Sequence, residues 1–473
     1  MQDILKSNTP AFVFDTAVLQ KRAVQIREIV GETVSLCYSM KANPFLVTTM
    51  LTCVDKLEVC SPGELAICKK LGVDGSRIIY SGVNKGITDI REAYEYGVGI
   101  FTAESIRHAD LIQQVFEAAD SDQKAEVILR LNAGSQFGMA KEDLFDILQH
   151  RETRYRSLNI TGIHYFVGTQ RKRAKRKIKE LQMLLELFEE IRNLFGLELK
   201  KLEYGPGFAV PYFADDDFSD TLFPVKELKD ILNEVAQKVE LTIEMGRFFT
   251  AECGTYYTNV ADLKTVGNAH YCIVDGGMNH LTYLGQMMGM KTPIIKHYKN
   301  AMVQDGTVDK KTWCLCGSLC TTSDILCREV EFEHLEIGDT LAFENVGAYS
   351  VTEGIYLFLS RTMPKVYLKD ESGSLTLVRD AIETSTINTM NIEEKEICNM
   401  EELLELLKDI KEDVDFENEK ALVDDHILDS FDILQIISDI SDEFDIVIPA
   451  AYVKPENFNS AEALWKMIQE LQD

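Results

Sequence analysis

Short apolar segments alternate with amphipathic segments from residue 20 to residue 270. Residues 181–191 are the clearest amphipathic segment, because LQMLLELFEEI places apolar side chains at helical spacing. Parallel strands need long crossover connections, which helices supply. The pattern therefore predicts an α/β fold with a (β/α)8 barrel over residues 20–270. Its expected strands are VSLCYS, KLEVC, RIIYSG, VGIFT, VILRLN, ITGIHYFV, KLEYGPGF and LTIEMG.

After residue 270 the helical period fades, and strand-like segments separated by turns take its place. Examples are HYCIVDGG, TWCLCGSLC, DTLAFENVGAYS and KVYLKDESGSLTLVRD. These segments predict a β-domain over residues 271–385. The early segment TPAFVFD also has the pattern of a strand, so residues 1–19 are expected to join that domain.

The polar run TSTINT, at residues 384–389, lacks the apolar surface that packing requires. We therefore predict a linker over residues 386–396. Beyond it, residues 397–473 are expected to form a small four-helix domain. Amphipathic helices are predicted at 398–410, 430–443 and 460–472, with Asp429 as the N-cap of the second.

The negative charge of the chain is concentrated near its C-terminus. The formal net charge is −28, and residues 391–473 contain 24 Asp or Glu against 6 Lys or Arg, a net −18. This asymmetry indicates an acidic appendage. Such a charge also argues against nucleic acid or an anionic membrane as a partner.

The compartment and the redox state follow from the chain start and the cysteines. The start MQDILKSNTPAFVFD has neither a basic nor an apolar signal region, so we expect a cytoplasmic protein. The 11 cysteines are scattered, which favours reduced thiols. Cys314, Cys316 and Cys320 lie close together, but no second Cys or His pair has ligand spacing, so we predict no metal.

A lysine follows the first predicted barrel strand, in the segment YSMKANP. Barrel active sites lie at the carboxyl ends of the strands, where the Lys41 amine can form a Schiff base with a carbonyl cofactor. A surface lysine at a strand end is the alternative. Gly205 and Gly207 follow a later strand, and with Gly246 and Arg247 they would suit a phosphate. Alone, they would indicate an ordinary glycine turn.

Ten segments, taken in chain order, resemble the ornithine, arginine and diaminopimelate decarboxylases, which share an alanine-racemase-like fold (fold type III) and use pyridoxal 5′-phosphate (PLP). They are YSMKANP, LEVCSPGEL, YSGVNKG, VILRLN with SQFGM, GIHYFVGTQ, LEYGPGFAVPY, IEMGR, VDGGMN, CGSLCTTSD and NVGAYS. The resemblance covers residues 10–385. It implies a PLP-binding barrel, decarboxylase activity and a homodimer with shared active sites.

The resemblance also assigns roles to particular residues. Lys41 would hold the cofactor, and Glu244 would pair with its pyridine nitrogen, where the related racemases have an arginine. Cys320 would come from the partner subunit and return a proton to the substrate. Glu58 would lie near the Schiff base and Arg130 near the ring, although both are also compatible with framework salt bridges. The phosphate would be held by Thr169, Gly205, Gly207, Gly246, Arg247 and Tyr349.

Two positions depart from the family pattern. Phe166 replaces the imidazole that usually stacks on the PLP face, so it can stack but cannot donate a hydrogen bond. Thr321 replaces the acid that usually follows the catalytic cysteine and binds the distal amine of a diamino acid. Free lysine, ornithine and diaminopimelate therefore lose their expected charged partner.

The segment DDHILDSFDIL resembles the attachment motif of acyl and peptidyl carrier proteins, with Phe431 in place of the usual leucine. The resemblance implies that Ser430 carries 4′-phosphopantetheine; a serine that only caps a helix is the alternative. It also implies a phosphopantetheinyl transferase and an adenylating ligase as partners. On this second helix we expect one set of residues to face the bundle and another to face solvent. The inward set is Phe431, Leu434 and Ile437, and the outward set is Asp432, Asp439, Asp442 and Glu443.

Three functions are compatible with these features. The first is decarboxylation of an amino acid tethered to a carrier, as in the carrier-dependent glutamyl decarboxylases of natural-product pathways, with glutamyl to 4-aminobutyryl as the first candidate. The second is decarboxylation of a free amino acid, with the carrier acting downstream. The third is a non-catalytic PLP-binding or carrier scaffold.

Overall fold

The structure, a computed structural model, describes residues 8–119, 123–285, 288–299, 310–390, 400–444 and 446–472. The chain divides into two units, Met1–Asn388 and Thr389–Asp473, each with its own hydrophobic core. Among the described helices, none combines the length and apolarity needed to span a bilayer.

The larger unit contains the predicted barrel. Its eight strands are parallel and close on themselves, with β2 beside β9. Strand β1 (Ala11–Asp15) precedes the barrel, whose strands are β2 (Ser35–Ser39), β3 (Lys56–Val59), β4 (Ile78–Tyr80), β5 (Ile100–Ala103), β6 (Ala125–Arg130), β7 (Leu158–Phe166), β8 (Lys201–Gly205) and β9 (Glu240–Met245). All eight coincide with predicted strands, so this part of the fold prediction is confirmed.

Helices connect the barrel strands and cover them. The helices of this part of the chain are α1 (Thr16–Val30), α2 (Val47–Met50), α3 (Pro62–Leu71), α4 (Ile87–Glu95), α5 (Ile106–Ala118), α6 (Lys141–Gln149), α7 (Ala174–Phe195), α8 (Phe223–Lys226), α9 (Lys229–Ala236) and α10 (Arg247–Thr250). Helix α7 contains the amphipathic segment identified in the sequence. It buries Leu181, Leu184, Leu187, Phe188 and Ile191, at the expected spacing of three and four residues.

A mixed sheet follows the barrel, and within the described residues it has nine strands. They are β1 together with β10 (Gly254–Val266), β11 (Ala269–Val274), β12 (Ile295–Tyr298), β13 (Lys310–Cys316), β14 (Ile325–Glu333), β15 (Thr340–Glu344), β16 (Lys365–Lys369) and β17 (Leu375–Arg379). Strand β1 is antiparallel to β10 and parallel to β16, which confirms that the first segment joins the β-domain. The short helix α11 (Ser350–Glu353) lies between β15 and β16.

The predicted boundary at residue 270 is wrong. Strand β10 pairs with β1, β11 and β15 of the sheet, so the barrel ends before Gly254. Buried and half-buried residues alternate along the first part of β10, as in a strand with one face on a core. The barrel helices are followed directly by this long strand, with no intervening sequence break to mark the boundary.

The predicted linker begins too early. Helix α12 (Ser385–Asn388) belongs to the larger unit. The buried Thr384 hydroxyl donates to the Arg361 carbonyl at 2.9 Å, and the Asn388 amide donates to the Leu357 carbonyl at 2.8 Å. Hydrogen bonds therefore anchor this polar run to the larger unit, although the run has no apolar face to pack. The part of the linker prediction on residues 391–399 lies outside the described residues.

The smaller unit is helical. Its helices are α13 (Met400–Ile410), α14 (Ser430–Glu443), α15 (Pro455–Phe458) and α16 (Ala461–Gln472). Asp429 caps α14 as predicted, because its carboxylate accepts the N–H groups of Phe431 at 2.7 Å and Asp432 at 3.0 Å. The core contains Leu403, Leu407, Phe416, Leu422, Leu428, Ile436, Ile440, Phe444, Ile446, Phe458, Ala461, Leu464, Met467 and Ile468.

The orientation predicted for α14 is partly wrong. Phe431 is 84% exposed and Leu434 is 64% exposed, whereas Ile436 and Ile440 are fully buried. Asp432 is half-buried rather than outward, and its carboxylate accepts a hydrogen bond from Lys411 at 2.6 Å. This ion pair and the Ile436–Ile440 contacts turn the Phe431 side of the helix towards solvent.

Candidate active site

Lys41 lies where β2 ends, between two carboxylates from neighbouring strands. Its Nζ is 2.7 Å from Glu58 Oε2 and 3.7 Å from Glu244 Oε1. Glu58 is on β3 and Glu244 is on β9, and both strands pair with β2. The Cys60 thiol is 3.4 Å from the same amine. Barrel closure therefore brings together three residues that are far apart in the sequence.

The two carboxylates determine the charge state of this group of residues. Burial disfavours the Lys41 ammonium, but the attraction of Glu58 and the other nearby acidic groups is larger, so the pKa of Lys41 is raised well above its usual value. Burial also disfavours the Glu244 carboxylate, yet Lys41 and His164 together hold the pKa of Glu244 below its usual range. Glu244 is thus ionised although its side chain is buried.

His164 supports Glu244 and was missed in the sequence. Its Nε2 lies 3.0 Å from Glu244 Oε2, and the Ser39 hydroxyl donates to the other carboxylate oxygen at 3.0 Å. His164 and Phe166 are two residues apart on β7, so they project to the same side of the strand. That spacing is the signal that could have identified His164.

A row of polar residues crosses the barrel interior at this level. Arg130 pairs in register with His164, His164 with Glu203, and Glu203 with Thr242. Bulky apolar residues usually fill such a layer. The Glu203 side chain is buried, and burial together with the charges of Glu244 and Glu58 raises the pKa of Glu203 well above its usual value.

Arg130 occupies the place where the resemblance expects a cofactor neighbour, but it already has a carboxylate partner. Its Nη1 is 2.9 Å from Glu104 Oε2, and both side chains are buried. Its guanidinium also lies 5.0 Å from the centre of the Phe137 ring. This geometry agrees with the framework salt bridge that the sequence left open.

The predicted phosphate-binding residues, except Gly205, line one cavity next to Lys41. Its lining includes Ser39, Lys41, Phe166, Thr169, Gly207, Glu244, Gly246, Arg247 and Tyr349. Most of the predicted cofactor-binding and catalytic residues of the larger unit therefore meet at this cavity. The exceptions are Glu58, Arg130, Gly205 and Cys320.

Glycine is required in the cavity wall for steric reasons. Gly207 has φ +56°, and a Cβ there would lie 1.7 Å from the Gly168 carbonyl oxygen. A Cβ at Gly205 would lie 2.3 Å from a Phe166 ring carbon. The glycine turn therefore packs against the Phe166–Gly168 segment more closely than any side chain would allow.

Arg247 provides the positive charge at this end of the cavity. Its Nε is 3.3 Å from the Thr169 hydroxyl, and its Nη1 donates to the Tyr212 hydroxyl at 2.6 Å. Its guanidinium also stacks 4.4 Å from the centre of the Tyr349 ring. A phosphate dianion could be bound here by the arginine, the two hydroxyl-bearing side chains and the glycine turn. The Lys41 amine suits an aldehyde, and the Glu244 carboxylate suits a pyridine nitrogen. The residues of this cavity fit PLP.

The structure does not bring Cys320 to this cavity. Cys320 is exposed, in the loop between β13 and β14. Thr321, the next residue, is also exposed. The prediction that Cys320 enters a partner's active site therefore stays a prediction.

Ser430 is the first residue of α14 and is exposed. It lies between the capping Asp429 and the exposed Phe431. Ser430 is thus exposed at a helix start, and its modification stays a prediction.

Comparison with known proteins agrees with the fold and the cavity. Residues 16–251 match the family described as pyridoxal-dependent decarboxylase, pyridoxal binding domain. The chain is therefore a PLP-dependent amino-acid decarboxylase of fold type III. The third function considered from the sequence, a non-catalytic scaffold, does not agree with this class of enzymes.

Two curated relatives are similar over most of the chain. The L-glutamyl-[BtrI acyl-carrier protein] decarboxylase of Niallia circulans is 26% identical over 393 residues, covering 78% of this chain and 91% of the relative. The diaminopimelate decarboxylase of Aquifex aeolicus is 26% identical over 388 residues, covering 78% of this chain and 89% of that enzyme.

Solved structures share the fold of the larger unit. The crystal structure of AQ1208 from Aquifex aeolicus has a TM-score of 0.71 and 25% identity, and the match covers 83% of this chain and 94% of that one. A diaminopimelate decarboxylase from M. jannaschii in complex with L-lysine has a TM-score of 0.69 and 23% identity, covering 82% and 94% respectively.

Proposed function

We propose that this enzyme decarboxylates an amino acid held as a thioester on a phosphopantetheine arm. The first candidate is a glutamyl group converted to a 4-aminobutyryl group, in secondary metabolism. The observation that carries the proposal is an exposed serine at the start of an acidic helix, in a helical unit of the same chain. The similarity to a decarboxylase whose name specifies a glutamyl carrier protein supports it.

Thr321 supports a tethered substrate over a free diamino acid. A free diamino acid needs a carboxylate for its distal amine, and a threonine at this position cannot supply that charge. Attachment to an arm replaces recognition of the distal group and raises the local concentration of the substrate.

The residues of the cavity have separate tasks in this reaction. Bound PLP withdraws electrons from the substrate's α-carbon, which stabilises the charge left when carbon dioxide departs. Lys41 would hold the cofactor aldehyde, while Glu58 orients the Lys41 amine. Glu244, fixed by His164 and Ser39, would keep the pyridine nitrogen protonated. The phosphate would be held by Thr169, Gly205, Gly207, Gly246, Arg247 and Tyr349.

Two further residues complete the proposed site. Phe166 would lie against one face of the ring and exclude water, without donating a hydrogen bond. The Cys320 thiol of the second subunit of a homodimer would protonate the α-carbon after carbon dioxide leaves.

Intact-protein mass spectrometry tests the proposal. The full chain is modified by a phosphopantetheinyl transferase and loaded with glutamate by an adenylating ligase. We expect the loaded arm to lose the mass of one carbon dioxide, and to keep it in Lys41→Ala. A loaded arm that stays intact with PLP bound would show that the tethered function is wrong.

Decarboxylation of a free amino acid is the second candidate, favoured by the similarity to a diaminopimelate decarboxylase. In this case the carrier would receive the product. Ser430→Ala distinguishes the two candidates, because it removes turnover of a tethered substrate and leaves turnover of free diaminopimelate, ornithine or lysine unchanged.

A further inference from the structure

Cys60 lies beside the Lys41 amine but has no task in the proposed reaction. It follows strand β3 directly, and Glu58 lies two residues before it, which is the spacing of side chains on one side of a strand. Ser39 of β2 pairs in register with Glu58 of β3. Lys41 and Cys60 are each two residues beyond this pair, where the two chains leave the sheet. The register of the barrel therefore places the thiol next to the amine.

The Cys60 thiol contacts both members of the Lys41–Glu58 ion pair. The Lys41 Nζ donates to the Cys60 Sγ at 3.4 Å, and the Cys60 thiol donates to Glu58 Oε1 at 3.2 Å. The other carboxylate oxygen, Oε2, accepts from Lys41 at 2.7 Å. The three side chains thus form a closed triangle of hydrogen bonds, in which each Glu58 oxygen has its own donor.

The thiol keeps its hydrogen in these surroundings. Burial and the negative charge of Glu58 raise the pKa of Cys60 well above its usual value, and together they outweigh the opposite effect of Lys41. The thiolate is the nucleophilic form of cysteine, so these surroundings disfavour covalent chemistry at Cys60. A thiol can still donate one hydrogen bond and accept another, as Cys60 does here.

The backbone of Cys60 is held on two sides. Its N–H donates to the carboxylate of Glu64, in the first turn of α3, at 2.6 Å. Its carbonyl oxygen packs against Gly82, where a Cβ would lie only 2.1 Å away. The thiol therefore has a fixed position from which it can orient the Glu58 carboxylate.

Glu58 and Cys60 lie outside the wall of the cavity that Lys41 lines. Among the described residues that form this wall, neither Glu58 nor Cys60 is found. The Lys41 side chain is 38% exposed, whereas that of Glu58 is 3% exposed. A ligand in the cavity reaches Lys41, so any effect of Cys60 on the ligand passes through Glu58 and the Lys41 amine.

We propose that Cys60 is a positioning residue for the Lys41 amine. Its thiol holds the Glu58 carboxylate in the orientation that directs the amine towards the cavity, where the amine meets the PLP aldehyde. Fixing a reacting group in one orientation accelerates the step in which it reacts. The inference rests on the assignment of Lys41 to PLP in the proposed function, and it holds for tethered and free substrates alike.

Rapid-mixing absorbance tests the positioning in the full-length protein, which is freed of PLP and then mixed with it. The Schiff-base absorbance gives the rate at which Lys41 binds the cofactor. Cys60→Ala should slow this step about fivefold or more, because the amine is no longer held in one orientation. Cys60→Ser should stay within about twofold of the wild type, because a hydroxyl can make the same two hydrogen bonds. Wild-type speed in Cys60→Ala would overturn the proposal, and so would equal slowing in both variants.

A double-mutant cycle with Glu58 separates positioning from packing. If the thiol acts through Glu58, Cys60→Ala should change the rate less than about twofold once Glu58→Ala is present. The same slowing in both backgrounds would show that Cys60 only fills space, which would overturn the proposal. Cys53→Ala is the matched control, because Cys53 is also half-buried and its sulfur contacts Thr49 and Thr52. It should leave the rate unchanged, and thermal melts report the loss of packing in each variant.

Lys41→Ala distinguishes this inference from the function on which it rests. We expect this variant to lose the Schiff-base absorbance. If the absorbance persists, the assignment of Lys41 to PLP is wrong, and the inference fails with it. If the absorbance is lost and Cys60→Ala binds PLP as fast as the wild type, only the positioning role of Cys60 is wrong.

Discussion

Glu244 and Glu203 are buried carboxyl groups on adjacent barrel strands, and their pKa values are shifted in opposite directions. Glu244 is ionised because Lys41 and His164 face it. Glu203 has the negative charges of Glu244 and Glu58 near it, and burial raises its pKa further. Glu244 is therefore suited to hold a proton on a ligand nitrogen, whereas the surroundings of Glu203 favour its protonated form.

The substitution Glu244→Gln keeps the size of the side chain and removes its charge. We expect the decarboxylation rate to fall by about 10²-fold or more, because a preorganised charge at the reacting group is lost. PLP absorbance and steady-state kinetics check this result. Glu126→Gln, at a half-exposed ion pair with Lys201, is the control and should retain activity. Full activity of Glu244→Gln would contradict the assigned role.

Glu203→Gln tests the raised pKa of Glu203. The folded state keeps a proton that the unfolded state releases above about pH 4.5, so the wild type loses stability as pH rises between the two pKa values. The Glu203→Gln variant does not lose stability in this way, because glutamine does not ionise. Its thermal stability relative to wild type should therefore increase with pH by up to about 1.4 kcal/mol per unit.

Thermal melts of the protein without PLP from pH 5 to pH 8 measure this difference. Glu240→Gln, on the neighbouring strand at an exposed ion pair, should show no such trend. A difference that does not depend on pH would mean that Glu203 is ionised in the fold.

At the level of elements, the turn between β8 and α8 decides whether the phosphate end of the cavity exists. Gly207 combines a left-handed backbone with contact to the Gly168 carbonyl, so backbone conformation and packing require the same residue. Gly196, at the end of α7, has a similar φ of +61°, but a Cβ there would meet nothing within 4 Å.

These two glycines provide a matched pair of substitutions. Gly207→Ala should weaken PLP binding by about tenfold or more, because the methyl group displaces the Gly168–Thr169 segment. Gly196→Ala should cost about 1 kcal/mol of stability and leave PLP binding unchanged. Absorbance titration with PLP and thermal melts measure the two effects. Equal PLP affinities would show that the turn does not hold the phosphate.

At the level of the whole molecule, a single chain leaves Cys320 exposed and away from the Lys41 cavity. The homodimer with shared sites that the resemblance implies would account for this placement, since a C2 interface can exchange the same loop between two sites. The dimer follows from resemblance and can be tested by mixing inactive variants.

Lys41→Ala and Cys320→Ala should each be inactive or nearly so. Co-expression in equal amounts should restore about a quarter of wild-type activity, because half of the dimers are mixed and each has one intact site. Activity assays of the purified mixture check this. Mixing Lys41→Ala with Glu244→Gln is the control. Both residues belong to the same chain's cavity, so each site of the mixed dimer lacks one of them and no recovery is expected. Absence of recovery in the first mixture would contradict shared sites.

Much of the fold was predictable from local pattern. Each barrel strand is a short apolar run bounded by helical segments, so its position does not depend on distant contacts. The boundary at β10 was not predictable in this way, because its partners are β1, β11 and β15, and β1 lies more than two hundred residues earlier. Strand pairing of this kind is set by tertiary structure.

The sequence by itself determined the barrel, the β-domain and the helices of the C-terminal unit, because these depend on periodicity. Lys41 followed from its position at a strand end, and Glu58 and Glu244 followed from the family resemblance. Only the tertiary structure decided that His164 supports Glu244, that the pKa of Glu203 is raised and that Phe431 faces solvent. Those properties depend on which strands and helices lie side by side, since burial and neighbouring charges arise only after packing.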